Sequence, residues 1–267
     1  MLAAVMAKPL LGVVHLPPLL SSARGGQPFE KVLAHALRDA AALHAGGVDG
    51  IFVENFGDAP FHKGTAADPV PPDVPAALAV AAREIRRATG LPVGVNCLRN
   101  DGVAAVAAAA VAGATWVRIN VFTGACLTDQ GVIDGEAARV LAWRKQLGSC
   151  VQIAADVFVK HAVPLAPLDV ATTARDLAER SGAAVMIVSG RRTGEAVDAA
   201  FLRAVKLAVG SFPVWLGSGL GSECAADLWP HCDGAIVGTA FKRGGIVTNP
   251  VDPRRVARLV SQLASFR

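Results

Sequence analysis

The chain has 267 residues, 52% apolar and 18% charged, which excludes a disordered polypeptide and supplies enough apolar surface for one large core. Its net charge of +4 is scattered, with short pairs such as Arg86-Arg87, Arg191-Arg192 and Arg254-Arg255, while aromatics are 5% and tyrosine is absent, so no nucleic-acid partner is expected. Five cysteines, odd in number and without a CxxC pair, argue against a disulfide framework or structural zinc and fit a reducing cytosol better; Cys224, His231 and Cys232 lie close together but read as small buried groups rather than ligands.

Residues 2–20 are apolar enough to imitate a signal peptide or anchor, but Lys8, Pro9, His15, Pro17 and Pro18 interrupt them and no cleavage signal follows. They read as a short leader and a first buried strand over 10–14, so no membrane span and a cytoplasmic location are expected. His15 follows that strand, as a proton shuttle or as a hydrogen-bonded rim residue. A helix over 30–45 leads to a second strand, 50–53, and to Glu54-Asn55. The segment 55–74 carries Gly57, Pro60, Gly64, Pro69, Pro71 and Pro72 without helical periodicity, and is expected to move as a lid.

A helix over 75–89 precedes the third strand, 92–96, which ends in Asn96. A helix over 103–112 precedes the fourth, 116–119, which holds Arg118 and runs into Asn120. After a helix over 135–147, the fifth strand, 151–155, leads to Asp156 and then Lys160-His161. A helix over 169–180 precedes the sixth strand, 185–188, and the loop Ser189-Gly190-Arg191-Arg192-Thr193-Gly194, where Arg191 or Arg192 would partner an anion. The helix over 198–209 precedes the seventh strand, 213–216, and the run Gly217-Ser218-Gly219-Leu220-Gly221-Ser222. The eighth strand, 235–237, precedes Gly238-Thr239-Ala240-Phe241-Lys242, and a helix over 253–263 closes the chain.

Eight strands alternating with helices, with long loops after strand C-termini, predict a (β/α)₈ TIM barrel as a single domain over residues 1–267. No G-x-G-x-x-G turn follows the first strand, which removes the main feature of a dinucleotide-binding open sheet. Glycines after strands seven and eight let backbone N–H groups approach an anion, which places a phosphate on Ser218, Gly219, Leu220, Gly238 and Thr239, with Lys242 assisting from the rim. A bulky residue at Gly219 is expected to block that anion. The polar strand ends face the barrel mouth, and Glu54, Asp156, His15, Asn96 and Lys160 are the catalytic candidates. Glu54 and Asp156 form the best acid/base pair; Lys160 is placed first as an anion binder, because a loop position seldom gives an imine-forming lysine its desolvation. Asn55, Arg118, Asn120, Ser189, Gly190 and Thr193 are the substrate-binding candidates. No cofactor or metal set is predicted, although a divalent cation on Glu54 and Asp156 is compatible with the sequence.

Five pieces of the chain resemble the BtpA/SgcQ family. They are His15-Leu16-Pro17-Pro18-Leu19, Gly50-Ile51-Phe52-Val53-Glu54-Asn55-Phe56-Gly57-Asp58-Ala59-Pro60-Phe61, Val93-Gly94-Val95-Asn96, Ala155-Asp156-Val157-Phe158-Val159-Lys160-His161, and Val188-Ser189-Gly190 with Thr193-Gly194. The resemblance implies a barrel related to the ribulose-phosphate-binding group, and carries an association with photosystem I or membrane-complex biogenesis but no catalytic residue set. Two functions are therefore expected. One is an enzyme acting on a small phosphorylated substrate, a sugar phosphate or nucleoside-like phosphate, as isomerase, lyase or glycosyl hydrolase; the other is a non-catalytic assembly factor for a membrane complex. A homo-oligomer is compatible with both.

Overall fold

The structure is a computed structural model that describes residues 8–190 and 192–266. In chain order its strands and helices are β1 (Leu10–His15), α1 (Phe29–Gly46), β2 (Gly50–Glu54), α2 (Asp73–Thr89), β3 (Val93–Asn96), α3 (Gly102–Ala112), β4 (Trp116–Ile119), β5 (Ala125–Thr128), β6 (Gly131–Asp134), α4 (Ala137–Gln146), β7 (Gln152–Phe158), β8 (Ala162–Pro164), α5 (Val170–Arg180), β9 (Val185–Val188), α6 (Ala199–Val209), β10 (Val214–Leu216), α7 (Ala225–Leu228), β11 (Gly234–Val237) and α8 (Pro253–Ala264). Eight strands close a parallel barrel in the order β1-β11-β10-β9-β7-β4-β3-β2, as the alternation predicts. Strands covered on both faces need near-continuous apolar runs, which is why LLGVV and VMIV are strands. Aspartates start several helices by accepting an amide of the first turn: Asp101 from Ala104, Asp169 from Thr172 and Asp198 from Phe201.

The core has two parts. Outward strand residues pack against the helices, and inward ones fill the barrel with Leu11, Val13, Phe52, Trp116, Ala154, Val185, Ile187, Trp215 and Ile236. Trp116 stacks near Phe52, with ring centroids 6.3 Å apart, and meets Trp215 edge-on at 5.6 Å. Side chains two positions along a strand share a face. The next inward layer toward the C-terminal mouth is therefore His15, Glu54, Arg118, Asp156, Ser189, Gly217 and Gly238, each two residues beyond a member of the apolar layer. The strand register sets His15 beside Glu54, Glu54 beside Asn96 and Asn96 beside Arg118, one row across four neighbouring strands.

Two features differ from the expectations. The loops after β4 and β7 form a three-stranded antiparallel sheet, β6-β5-β8, that the sequence reading treats as loop. The segment 55–74, expected to have few ways to pack, is fastened at several points. Asp58 accepts the Leu19 amide at 2.8 Å, the Asp68 carboxylate accepts the Lys63 amide at 3.1 Å, and Asp101 accepts the Val70 amide at 3.2 Å. Carboxylates taking backbone N–H groups replace the missing helical ladder.

Candidate functional site

Two cavities open at the C-terminal mouth of the barrel. The first, of about 560 Å³, is walled by residues 217–224 and 237–241, by Arg255 and Arg258 of α8, and by His15. The second, of about 350 Å³, is walled by Phe56, Phe61, Asn96, Leu98, Arg99, Asn120, Asp129 and His161. Glu54, Arg118, Lys160 and Thr193 line both.

The loops after β10 and β11 converge on the first cavity. Among the described residues, the amides of Ser218, Gly219, Leu220, Thr239 and Ala240 meet no hydrogen-bond acceptor, and the buried Ser218 hydroxyl has no partner. Ser218 and Leu220 are buried and the other three residues half-buried, and together the five amides line the cavity as a cradle of unpaired donors. Gly219 has φ +79°, and a side chain there would overlap the Glu195 carbonyl of the neighbouring loop. That corrects the expected effect of a bulky residue: it strikes protein backbone and not the anion. Gly217 is glycine because its backbone lies against Ile187, Ser189 and Arg118. A Cβ at Gly238 would lie 2.9 Å from the His15 ring, so the cradle rests directly on the row of polar strand ends.

Within that row His15 Nε2 lies 3.2 Å from Glu54 Oε1, and Asn96 Nδ2 donates to Glu54 Oε2 at 3.3 Å. Desolvation raises the affinity of Glu54 for a proton, but the His15 hydrogen bond and the Lys160 and Arg118 charges outweigh it and hold the carboxyl at about 2. Burial lowers the pKa of His15, against the pull of Glu54, so the imidazole is neutral near pH 7. The pair is thus a carboxylate beside a neutral imidazole.

Arg118 makes a two-pronged ion pair with Asp156, Nε to Oδ2 at 2.9 Å and Nη2 to Oδ1 at 2.8 Å, and donates from Nη1 to the Gly217 carbonyl at 3.1 Å. Ser189 and Asn120 also donate to Asp156, at 3.3 and 3.4 Å. The Asp156 side chain is wholly buried and lines neither cavity, so the structure gives it a holding role in place of the expected acid/base role beside Glu54. Arg118 bonds to both Asp156 oxygens and holds that carboxylate outside both cavities. Among the described residues no group of three or more His, Cys, Asp and Glu side chains is placed to hold a metal ion.

Lys160 differs from its sequence reading. Despite its loop position it is desolvated, and burial first, then the nearby Arg118, lowers it to about 8, with Glu54 and Asp156 pulling the other way. Asn55, expected at the substrate, is spent on protein: it donates to Asp58 at 3.0 Å and the Leu98 carbonyl at 3.2 Å, and accepts the Leu98 amide at 2.7 Å. Ser189 and Gly190 border a neighbouring hollow, whereas Thr193 lines both main cavities and meets His161 at 3.2 Å. Lys242, expected at the rim, is buried in an ion pair with Asp39 at 2.6 Å. Arg191 lies outside the described residues; Arg192 is exposed beside Ser189 and Gly190. The sequence reading missed Arg99, Arg255 and Arg258. The last two sit three residues apart just after a helix-starting Pro253, a spacing that puts both on one face of the helix N-terminus.

The BtpA family model matches residues 6–265. An uncharacterized protein of Pyrococcus furiosus is 42% identical over 253 residues, covering 95% of this chain and 94% of its own length. The photosystem I biogenesis protein BtpA of Synechocystis is 41% identical over 256 residues, covering 96% and 88%. Among solved structures, phosphoribosyl anthranilate isomerase from Thermus thermophilus superposes with a TM-score of 0.58 at 15% identity, over 97% of this chain and 100% of that one. Orotidine 5'-monophosphate decarboxylase from Methanocaldococcus jannaschii gives 0.52 at 13% identity, over 96% and 98%. At such identities these structures are similar in fold.

Proposed function

This chain belongs to the BtpA family, and on that premise we propose that it is an enzyme for a small phosphorylated substrate, whose phosphoryl group it holds on the amides of 218–220 and 239–240. The observation that carries this reading is the set of five amides without acceptors around the first cavity. The reacting end of the substrate lies where the cavities meet. Lys160, near pH 8, is in the range for general acid work, and Glu54 is the carboxylate that accepts a proton or faces a developing positive charge. Asp156 fixes Arg118, and Arg118 shapes the floor between them. Sugar phosphates and nucleoside-like phosphates both fit, with isomerisation, lyase cleavage or glycosyl hydrolysis as the reaction. The solved structures of similar fold include two whose names speak of phosphoribosyl and 5'-monophosphate compounds, which supports the substrate class.

The test begins with inorganic phosphate. Calorimetry should show binding to the native protein and at least tenfold weaker binding to Thr239→Glu, which brings a carboxylate into the cradle. A screen of phosphorylated sugars and nucleosides by thermal shift then identifies the ligand, since a ligand bound only by the native state raises its apparent stability. Turnover of that ligand should fall by about 10²-fold or more in Lys160→Met and Glu54→Gln. No phosphate binding, or full turnover in both variants, overturns the proposal.

A second reading, a non-catalytic assembly role for a membrane complex, is favoured by one observation besides the name of the Synechocystis relative. Val132, Leu127 and Val163 are paired across β6-β5-β8 and exposed, forming an apolar row on the small sheet. Under that reading Leu127→Ser with Val163→Ser abolishes the association, and Glu54→Gln leaves it intact. Among the described residues no helix is long and apolar enough to cross a membrane.

A further inference from the structure

The second cavity contains a buried arginine that no acid contacts; Asp156, Asp129 and Glu54 act on it only from a distance. Arg99 is 4% exposed, and its only side-chain hydrogen bond among the described residues runs from Nη2 to the Lys160 carbonyl at 2.6 Å; its Nε has no partner. No carboxylate among the described residues lies within 4 Å of it, in contrast to Arg118, which holds Asp156 with two prongs. A guanidinium removed from water without a counter-ion is costly, and such groups are normally paired. A second buried polar atom on the same wall, Asn120 Oδ1, also lacks a partner. Phe56, Ala59, Phe61 and Leu98 supply the apolar part of the wall.

We infer that the second cavity binds a carboxylate on Arg99, so that the substrate is a phosphorylated organic acid held by its phosphoryl group in one cavity and its carboxylate in the other. The inference deepens the proposed function and rests on it for the phosphoryl end. A planar carboxylate takes parallel hydrogen bonds from a guanidinium; here Nε is without a partner, and Nη2, which gives one hydrogen to the Lys160 carbonyl, has a second to offer. Glu54 and Asp129 border the same cavity, so a singly charged carboxylate suits it better than a second, doubly charged phosphoryl group. The free Asn120 oxygen accepts a hydroxyl or N–H beside the carboxylate. The cavities meet at Glu54, Arg118, Lys160 and Thr193, which places the middle of such a molecule against Glu54 and Lys160.

A chemical ruler tests this. Phosphonoalkanoic acids with two to eight methylenes are titrated against the full-length protein, beside alkylphosphonates of equal length that end in methyl. At one length the carboxylate should tighten binding at least tenfold over its methyl-ended analogue. Arg99→Met should erase that gain and Arg99→Lys should keep part of it, both with inorganic phosphate affinity unchanged and the native circular dichroism spectrum retained. Benzoate, which needs no cradle, should bind the native protein and lose at least tenfold in Arg99→Met. Failure of inorganic phosphate to bind overturns the proposed function, while loss of the benzoate effect overturns the carboxylate site on its own. A gain that survives Arg99→Met, or tighter binding of an alkyl bisphosphonate than of the carboxylate, also overturns it.

Discussion

Lys242→Met separates a structural lysine from an anion-binding one. Lys242 Nζ lies 2.6 Å from Asp39 Oδ2, and both side chains are 1% exposed. Asp39 sits on α1 and also accepts the Val251 amide at 3.1 Å, with His35 Nε2 3.5 Å away, so the cluster ties the first helix to the chain beyond the last barrel strand. Removing one partner of a buried pair costs about 3–5 kcal/mol, because the other charge stays buried. Here the Val251 amide and His35 remain, which puts the loss near the lower end, about 3 kcal/mol, or a Tm drop of roughly 6–12 °C for a chain of this size. Asp39→Asn with Lys242→Met should recover at least half of the loss, since no charge is left uncompensated. The pH sense follows from the Asp39 carboxyl. Burial pushes its pKa up, but His35, Lys242 and the Val251 amide hold it well below the usual range. Its stabilisation is therefore present above the ordinary carboxylate pKa and is lost as pH falls through the depressed one. Without Lys242 the carboxyl protonates more readily, so the gap between native protein and variant narrows in acid. Urea unfolding followed by circular dichroism at about pH 7 and about pH 4 reads both effects. A loss under about 1 kcal/mol at neutral pH, or weaker phosphate binding with no loss of stability, would refute the reasoning and return Lys242 to the anion site.

Lys160 is lowered to about 8, so burying its charge costs stability below that pH, and the cost fades as pH rises toward the ordinary lysine range. Lys160→Met should stabilise the protein at neutral pH by about 1–2 kcal/mol, discounted for partial exposure, while removing turnover; a destabilised variant argues that the lysine is a structural group. Turnover itself should decline as pH rises through about 8, when the acid form is lost, and a profile flat to pH 10 would exclude that role. Gly219→Val should open the 190–196 loop to proteolysis and lower Tm, whereas Gly221→Ala, with only the Ala240 methyl 3.8 Å away, should do neither. His15 should stay neutral on lowering the pH past the ordinary histidine value, and in Glu54→Gln its protonation should need still more acid; imidazole nitrogen shifts in NMR distinguish this from a normal titration.

The barrel was legible because its strands are short apolar runs at regular spacing, and each breaks into a polar residue where it reaches the mouth. His15, Glu54, Asn96 and Arg118 could be picked out one by one on that basis, and the register then aligns them. Their partnerships were not legible. Arg118 and Asp156 are 38 residues apart, and only the closed barrel shows that each uses up the other. The same holds for Lys242 and Asp39, separated by 203 positions. Arg99 follows a strand by three residues and has no periodic signal, while β5, β6 and β8 are stabilised by pairing between distant loops that local pattern does not encode.

That pairing bears on how the protein can be altered. The hairpin β5-β6 arises after the fourth barrel strand and β8 after the fifth, yet among the described residues β8 has its ladder partner only in β5, through Cys126 with Pro164, Leu127 with Val163 and Thr128 with Ala162. Asp129 sits at the turn of the first loop, and Lys160 and His161 lead into the strand of the second, so both loops contribute walls to the same cavity. Grafting either loop alone from a relative would leave an unpaired strand edge and misplace the residues of the other. The two loops form one module that can be exchanged only as a whole.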